Sequence, residues 1–191
     1  MEALPVTSLV ARANALKAPS PWDKSKQAEV EARRAIEDRC GLIVHDANIV
    51  LRANCPNIDL VVFAYHAPIY VQVKSSERPA SKDHVTISGA PWTDEELYEG
   101  APIFNKHEGW KAGLVMILHR VNADQTDYYI APPDELERLV RPRAARLAAK
   151  PKKDGQPRSI GFRKELPRDL LRPWKDAWHL LAGEALPRLG L

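Results

Sequence analysis

Charged and amide side chains lie within two short apolar stretches of this 191-residue chain. Asp59 is enclosed by the apolar residues of segment 58–63, and Gln72 and Lys74 alternate with valines in segment 69–74. Charged groups in such apolar surroundings need partners, and a divalent cation held by Asp59 would provide one. These residue types predict a cation-assisted site, and a plain buried ion pair between Asp59 and Lys74 is the alternative.

A third candidate, Glu29, is carried by a helix predicted from residue 23 or 25 to residue 40, with Gly41 as its left-handed cap. At about 100° per residue, the apolar face of this helix is formed by Ala32, Ile36 and Cys40. Glu29 shares that face, where a carboxylate is costly unless it is paired or bound to a cation. It is therefore a candidate for the same site, or for an ion pair with an arginine at the rim. Glu31 is predicted to project from the opposite, polar side.

The elements that position the other candidates are strands. Segments 57–63 and 69–74 predict an antiparallel pair joined by a turn at residues 66–68. Because side chains alternate between the two faces of a strand, this pair brings Asp59, Gln72 and Lys74 to one end of a sheet. Residues 42–44 and 49–51 predict a further strand or a hairpin before them.

The second half of the chain alternates between strands and helices. Residues 84–87 predict a short strand, residues 113–121 a central strand and residues 127–131 another. Helices are predicted from Thr93, over residues 133–149 and over residues 173–181, with Trp174 and Trp178 of the last helix in the core. Residues 150–158 are predicted to form a linker. This order predicts a three-layer α/β core with the site at one edge of its sheet.

These residues resemble, in order and spacing, the PD-(D/E)xK nuclease superfamily, in which a helix with a Glu precedes strands bearing an Asp and a (Glu or Gln)-x-Lys motif. The matching stretches are Ala28-Glu29, Asn57-Ile58-Asp59-Leu60 and Val71-Gln72-Val73-Lys74. The pattern is similar to Mrr-like restriction endonucleases, in which Gln commonly replaces the second acidic residue, and to archaeal Holliday-junction resolvases. It covers roughly residues 24–121. Asn57 departs from the family's usual Pro.

The resemblance implies a restriction-endonuclease-like αβββαβ fold and hydrolysis of DNA with Mg²⁺, or with Mn²⁺ as a substitute. It implies that Asp59, Gln72 and the main-chain carbonyl of Val73 bind the cation and that Glu29 completes the site. Lys74 would orient or deprotonate the attacking water, and the products would carry 5′-phosphate and 3′-hydroxyl ends. Gln72 supplies one negative charge fewer than an acidic residue, which lowers the expected metal affinity.

Positive charge is concentrated towards the C-terminal end of the sequence. Residues 141–175 hold twelve Lys or Arg and three Asp or Glu, a local charge of +9 in a chain whose net charge is +3. Such a segment attracts a polyanion, and a solvated helix face followed by a linker is the alternative. The candidate nucleic-acid contacts are Ser75, Ser76, Arg78, Arg141, Arg143, Arg146, Lys150, Lys152 and Lys153.

The sequence does not support several other classes of protein. Cys40 and Cys55 are too few for a disulfide framework and lack zinc spacing, which indicates a reducing cytoplasm. No signal-peptide pattern or membrane-spanning stretch is present. The histidines show no HxH or HxxxH spacing, and there is no glycine-rich phosphate loop or nucleophile elbow.

These patterns predict that residues 1–140 form a nuclease-like α/β core, which includes an N-terminal helix. Residues 141–191 are predicted to form a basic helical extension packed on the same domain. The predicted function is that of a Mg²⁺-dependent DNA endonuclease in defence or repair, and a homodimer would suit double-strand cleavage. One alternative is an inactive nucleic-acid-binding or regulatory module with the same fold. Another is a protein-interaction module in which Asp59 and Lys74 form a structural ion pair. The pattern does not separate DNA from RNA, or a duplex from a junction.

Overall fold

The helices and strands were located in a computed structural model that describes residues 21–76, 84–92, 102, 104–105, 108–148 and 160–182. The first half comprises α1 (Pro21–Cys40), β1 (Ile43–Asp46), α2 (Ala47–Leu51), β2 (Leu60–Phe63), β3 (Pro68–Ser76) and β4 (His84–Trp92). The second half comprises β5 (Leu114–Arg120), β6 (Thr126–Ala131), α3 (Pro133–Ala148), β7 (Ile160–Pro167) and α4 (Arg168–Leu171). Two 3₁₀ turns follow, Arg172–Trp174 and Trp178–Leu180.

Five strands form a mixed sheet in the order β1-β2-β3-β5-β6. β3 and β5 run parallel, and the other neighbouring pairs are antiparallel. Six of the seven residues of β5 are buried, as expected for the predicted central strand. Parallel neighbours need a long crossover, and the helix predicted to start at Thr93 within this connection lies outside the described residues.

Two apolar cores lie on opposite faces of this sheet. One packs Ile36 of α1 against Val71 of β3 and Met116 of β5. The other packs Ile117 of β5 against Leu136 of α3, together with residues of a two-stranded sheet formed by β4 and β7. This confirms the predicted α/β class, a mixed sheet flanked by helices in three layers. None of the helices in the described part of the chain combines the length and apolar character that a membrane crossing requires.

Three segments predicted as regular elements fold differently. Residues 57–59 belong to the turn and bend before β2 instead of to the strand predicted over residues 57–63. Residues 49–51 belong to helix α2 instead of a strand, because the Asp46 carboxylate caps the helix by accepting a hydrogen bond of 2.9 Å from Asn48 N. Residues 173–181 form two 3₁₀ turns instead of one helix, since Asp176 between them has a left-handed φ of 53°. Trp174 and Trp178 consequently pack against different cores, one on each face of the sheet.

Strand β7 is absent from the sequence predictions. It pairs antiparallel with β4, which extends to Trp92 instead of ending near residue 87. Ile160, Phe162 and Leu166 of β7 do alternate with other residues, but charged neighbours mask this signal. The extension predicted as helical therefore also contributes a strand. The linker predicted at residues 150–158 lies outside the described residues, and the domain division at residue 140 stays a prediction.

The prediction for Glu31 was wrong. Its side chain is 27% exposed, and Oε2 accepts a hydrogen bond of 2.7 Å from Arg120 Nη2. Its other oxygen, Oε1, accepts a hydrogen bond of 2.8 Å from Thr126 Oγ1. Glu31 thus joins α1 to the end of β5 and the start of β6, which lie beside the polar side of the helix. A helical wheel contains no information on neighbours that are distant in sequence.

Asp127 at the start of β6 makes the structure sensitive to acid. It is 4% exposed and pairs with Arg168 and, at 3.0 Å, with Lys175. Burial by itself would raise the pKa of Asp127, but the hydrogen bonds and charges of Lys175 and Arg168 hold this pKa below its usual range. The carboxylate therefore contributes stability above the unfolded-state pKa of about 3.9, and this contribution is lost as the pH falls through the lower folded-state pKa.

We expect Asp127→Asn to lower the free energy of unfolding at pH 7 by about 1.5–3 kcal/mol, the range for hydrogen bonds to charged groups. Below about pH 4, the stability of the variant should also decline less than that of the native protein. Urea unfolding at pH 7 and pH 3 measures both effects. Asp124→Asn, at an exposed loop residue, is the control, and equal stability of the two variants at pH 7 would contradict the prediction.

Candidate active site

The turn before β2 fixes the position of Asp59. Asn57 is 2% exposed, and its Nδ2 donates a hydrogen bond of 3.0 Å to the main-chain oxygen of Trp110. Ile58 N donates to Cys55 O at 3.0 Å, and the side chains of Cys55 and Ile58 are buried in a small cluster with Ala47. Asn57 therefore anchors the chain immediately before Asp59.

Asp59 is held against β3 by its main chain and its side chain. Asp59 N donates to Val71 O at 2.9 Å, and Asp59 Oδ2 accepts a hydrogen bond of 2.6 Å from Val73 N. The paired register of β2 and β3 begins with Leu60 opposite Val71, and Asp59 lies in the bend just before it. Burial raises the pKa of Asp59, while the hydrogen bond from Val73 and the charge of Lys74 act against the rise. The carboxylate is thus in surroundings where a cation would stabilise its charged form.

Gln72 contributes a buried oxygen on the strand that binds the Asp59 carboxylate. The residue is 7% exposed, and its Oε1 is buried without a hydrogen-bond partner. Leaving a buried acceptor unsatisfied costs about 1–3 kcal/mol. An amide oxygen in that condition, one residue before the Val73 N to which the Asp59 carboxylate is hydrogen-bonded, is suited to bind a hard cation.

Lys74 lies two residues further along β3. Burial lowers the pKa of its ammonium, and the nearby charge of Asp59 opposes this shift. Asp59 Oδ2 is hydrogen-bonded to Val73 N, and the charges of Asp59 and Lys74 influence each other's pKa. A structural Asp59–Lys74 ion pair stays an alternative, and burial shifts the pKa of Lys74 towards the range of a proton acceptor.

Glu29 approaches the same end of the sheet from α1. Its side chain is 12% exposed, and its charge contributes to the raised pKa of Asp59. Its ion-pair partner is Lys26 of the same helix, at 2.6 Å, and not an arginine. Lys26 Nζ also lies 3.8 Å from Asp46 Oδ2. Neither Lys26 nor Asp46 was predicted to lie at the site, although the i, i+3 spacing of Lys26 and Glu29 is a signal for such a pair.

The predicted nucleic-acid contacts differ from one another in their surroundings. Ser75 lines a small cavity between α1 and the ends of β3 and β5. Ser76 is 2% exposed, and its Oγ lies 3.2 Å from His119 Nδ1, so this side chain is turned into the protein. Arg141 donates a hydrogen bond of 3.0 Å to Glu137. The other predicted contacts cannot be compared, because the structure does not describe these residues or their side chains: Arg78, Arg143, Arg146, Lys150, Lys152 and Lys153.

The donors fit a cation site that relies partly on neutral oxygens. Within the described ranges, no three His, Cys, Asp or Glu side chains lie close enough together to hold a metal ion. A cation at this end of the sheet would therefore need Gln72 Oε1 and the main-chain carbonyl of Val73 in addition to Asp59. The unsatisfied oxygen of Gln72 is the observation that makes this donor set suitable.

The mixed five-stranded sheet between helices is compatible with a three-layer nuclease-like core. A solved structure with a similar fold is that of a bacterial homing endonuclease, I-Ssp6803I. The similarity has a TM-score of 0.50 with 16% sequence identity, and it covers 87% of this chain and 94% of that chain. At this identity the likeness concerns the fold alone. No protein-family model and no curated protein matches the sequence.

Proposed function

We propose that this protein is a Mg²⁺-dependent endonuclease that hydrolyses phosphodiester bonds of DNA. The observation that carries the proposal is the buried, unpartnered Oε1 of Gln72 on the strand to which the Asp59 carboxylate is hydrogen-bonded through Val73 N. The fold, similar to that of an endonuclease, and the resemblance of residues 57–60 and 71–74 to the PD-(D/E)xK motif agree with it.

In this proposal Asp59, Gln72 and the Val73 carbonyl would hold Mg²⁺, with Glu29 completing or buffering the site. The bound ion would polarise the scissile phosphate and lower the pKa of a water molecule. Lys74, whose pKa is lowered by burial, would accept a proton at Nζ from the attacking water. The water oxygen would bond to phosphorus, the bond from phosphorus to the 3′ oxygen would break, and the 3′ oxygen would take a proton from solvent.

The DNA backbone would be held by positive charge outside the site. Residues 141–175 have a local charge of +9 from twelve basic and three acidic residues, and the predicted phosphate contacts Arg141, Arg143, Arg146, Lys150, Lys152 and Lys153 belong to this segment. Ser75 and Arg78 remain proposed contacts next to Lys74, whereas the buried Ser76 is not retained. Binding through phosphates predicts a steep dependence of affinity on salt concentration.

The test is cleavage of supercoiled plasmid DNA at low salt. We expect nicked or linear product with Mg²⁺ or Mn²⁺, no product with EDTA, and 5′-phosphate ends that a ligase can join. Asp59→Ala protein purified in parallel controls for contaminating nuclease. Failure to cut duplex, junction or single-stranded DNA with either metal ion would refute the proposal.

A second candidate is an inactive module of the same fold that binds nucleic acid. It is favoured by the scarcity of acidic ligands, since no three acidic, His or Cys side chains of the described residues form a metal-binding group. Such a module would retard DNA in a gel and release it as salt increases, yet leave it intact with Mg²⁺. The same plasmid assay, followed by a mobility-shift assay, separates the two functions.

A further inference from the structure

Lys26 places a positive charge of the chain's own among the carboxylates at the edge of the candidate site. Its Nζ is 2.6 Å from Glu29 Oε2 and 3.8 Å from Asp46 Oδ2. Asp46 ends β1, and the next residue, Ala47, donates a main-chain hydrogen bond of 3.0 Å to Asp59 O. The ammonium of Lys26 therefore lies between two carboxylates beside a third.

This contact differs from an ordinary surface pair on a helix. Glu29 is only 12% exposed, whereas the Lys26 side chain is 39% exposed. Glu29, Asp46 and Asp59 do not lie close enough to share one metal ion. Glu29 and Asp46 instead lie around an ammonium, which the chain supplies itself.

We infer that Lys26 is an internal counter-ion of the site that holds Glu29 and Asp46 and competes with a divalent cation for Glu29. This inference rests on the proposed function, because it assigns to Lys26 a positioning role at the same site. A divalent ion held by Asp59 and Gln72 would repel the ammonium of Lys26, which would turn towards solvent or towards a phosphate. Glu29 would then complete or buffer the cation site.

The inference accounts for the balance of charge at a site in which Gln72 replaces an acidic residue. Glu29, Asp46 and Asp59 are acidic, and Lys26 and Lys74 are basic, so the five groups leave one negative charge when all are ionised. Without Lys26 two negative charges remain. A divalent ion should therefore bind more tightly when Lys26 is neutralised, since a repulsive charge has been removed from its surroundings.

The experiment is titration calorimetry of Mn²⁺ into the full-length protein and its variants without DNA. We expect Lys26→Met to bind Mn²⁺ about five- to tenfold more tightly than the native chain, and Lys26→Arg to stay within about twofold. Arg34→Met, which removes a positive charge at an exposed position further along α1, should also stay within about twofold. In EDTA, Lys26→Met should lower the melting temperature, and adding Glu29→Gln should restore part of the loss.

The outcomes separate this inference from the proposed function. Unchanged Mn²⁺ affinity in Lys26→Met, with binding lost in Asp59→Ala, would overturn the role of Lys26 and leave the cation site intact. An equal gain in Lys26→Met and Arg34→Met would also overturn it, because the effect would then be one of net charge. Absence of Mn²⁺ binding in the native chain and in Lys26→Met would overturn both proposals.

Discussion

Replacing Asp59 by asparagine should reduce plasmid cleavage by a factor on the order of 10³ or more while leaving the protein folded. The amide oxygen of the introduced asparagine can still accept the hydrogen bond that Val73 N donates to the native carboxylate at 2.6 Å. What the variant lacks is the negative charge that would bind the cation. Because burial raises the pKa of Asp59, the folded protein should gain stability in EDTA when this charge is removed.

Lys74→Ala provides the complementary result. We expect a loss of cleavage of a similar order with Mn²⁺ binding retained, because Lys74 is assigned to the attacking water and not to the cation. Calorimetry with Mn²⁺ and a plasmid assay on the same preparations measure the two properties. Asp124→Asn, at an exposed loop residue, is the matched control for the charge change in Asp59→Asn. Cleavage by Lys74→Ala at the native rate in Mg²⁺ would contradict the assignment of the site.

The strands that follow Asp59 and contain Gln72 and Lys74 were predictable because each depends on local pattern. Period-two alternation identified both strands, and the short turn between them left antiparallel pairing as the simple arrangement. The observed register, with Leu60 opposite Val71, follows from burying one face of each strand. Helix α1 was predictable for the same reason, since its apolar stripe and Gly41, with a φ of 66°, define its buried face and its end.

What the pattern missed depends on residues distant in sequence. Glu31 was assigned to solvent because a helical wheel shows the stripe of α1 but not the strand ends that pack beside it, 89 residues away in the case of Arg120. Strand β7 was missed because its partner β4 lies in a separate part of the chain and its charged residues hide the alternation. The position of Lys26 between two carboxylates was not predicted, because one of them, Asp46, is distant in sequence and comes near only in the folded chain.

Gln72→Glu should change stability in opposite directions with and without a divalent ion. In EDTA, a carboxylate at a position that is 7% exposed and adjacent in sequence to Val73, which binds the Asp59 carboxylate, places two like charges in a buried site. The free energy of unfolding at pH 7 should then fall by about 1–3 kcal/mol, or the new carboxyl will bind a proton instead. With Mg²⁺ the same carboxylate is an additional anionic ligand, so the increase in melting temperature on adding Mg²⁺ should exceed that of the native protein.

Gln72→Met is the matched control, because it keeps a similar volume and removes the oxygen. If Oε1 of Gln72 is a ligand, this variant should be as stable as the native chain or more stable in EDTA, since a buried unsatisfied acceptor has been removed. It should also lose most of the stabilisation by Mg²⁺ and most of the cleavage. Thermal unfolding of the three proteins in EDTA and in Mg²⁺ measures these differences. A buried amide with only a packing role would make Gln72→Met and Gln72→Glu respond to Mg²⁺ as the native chain does, and that result would remove Gln72 from the site.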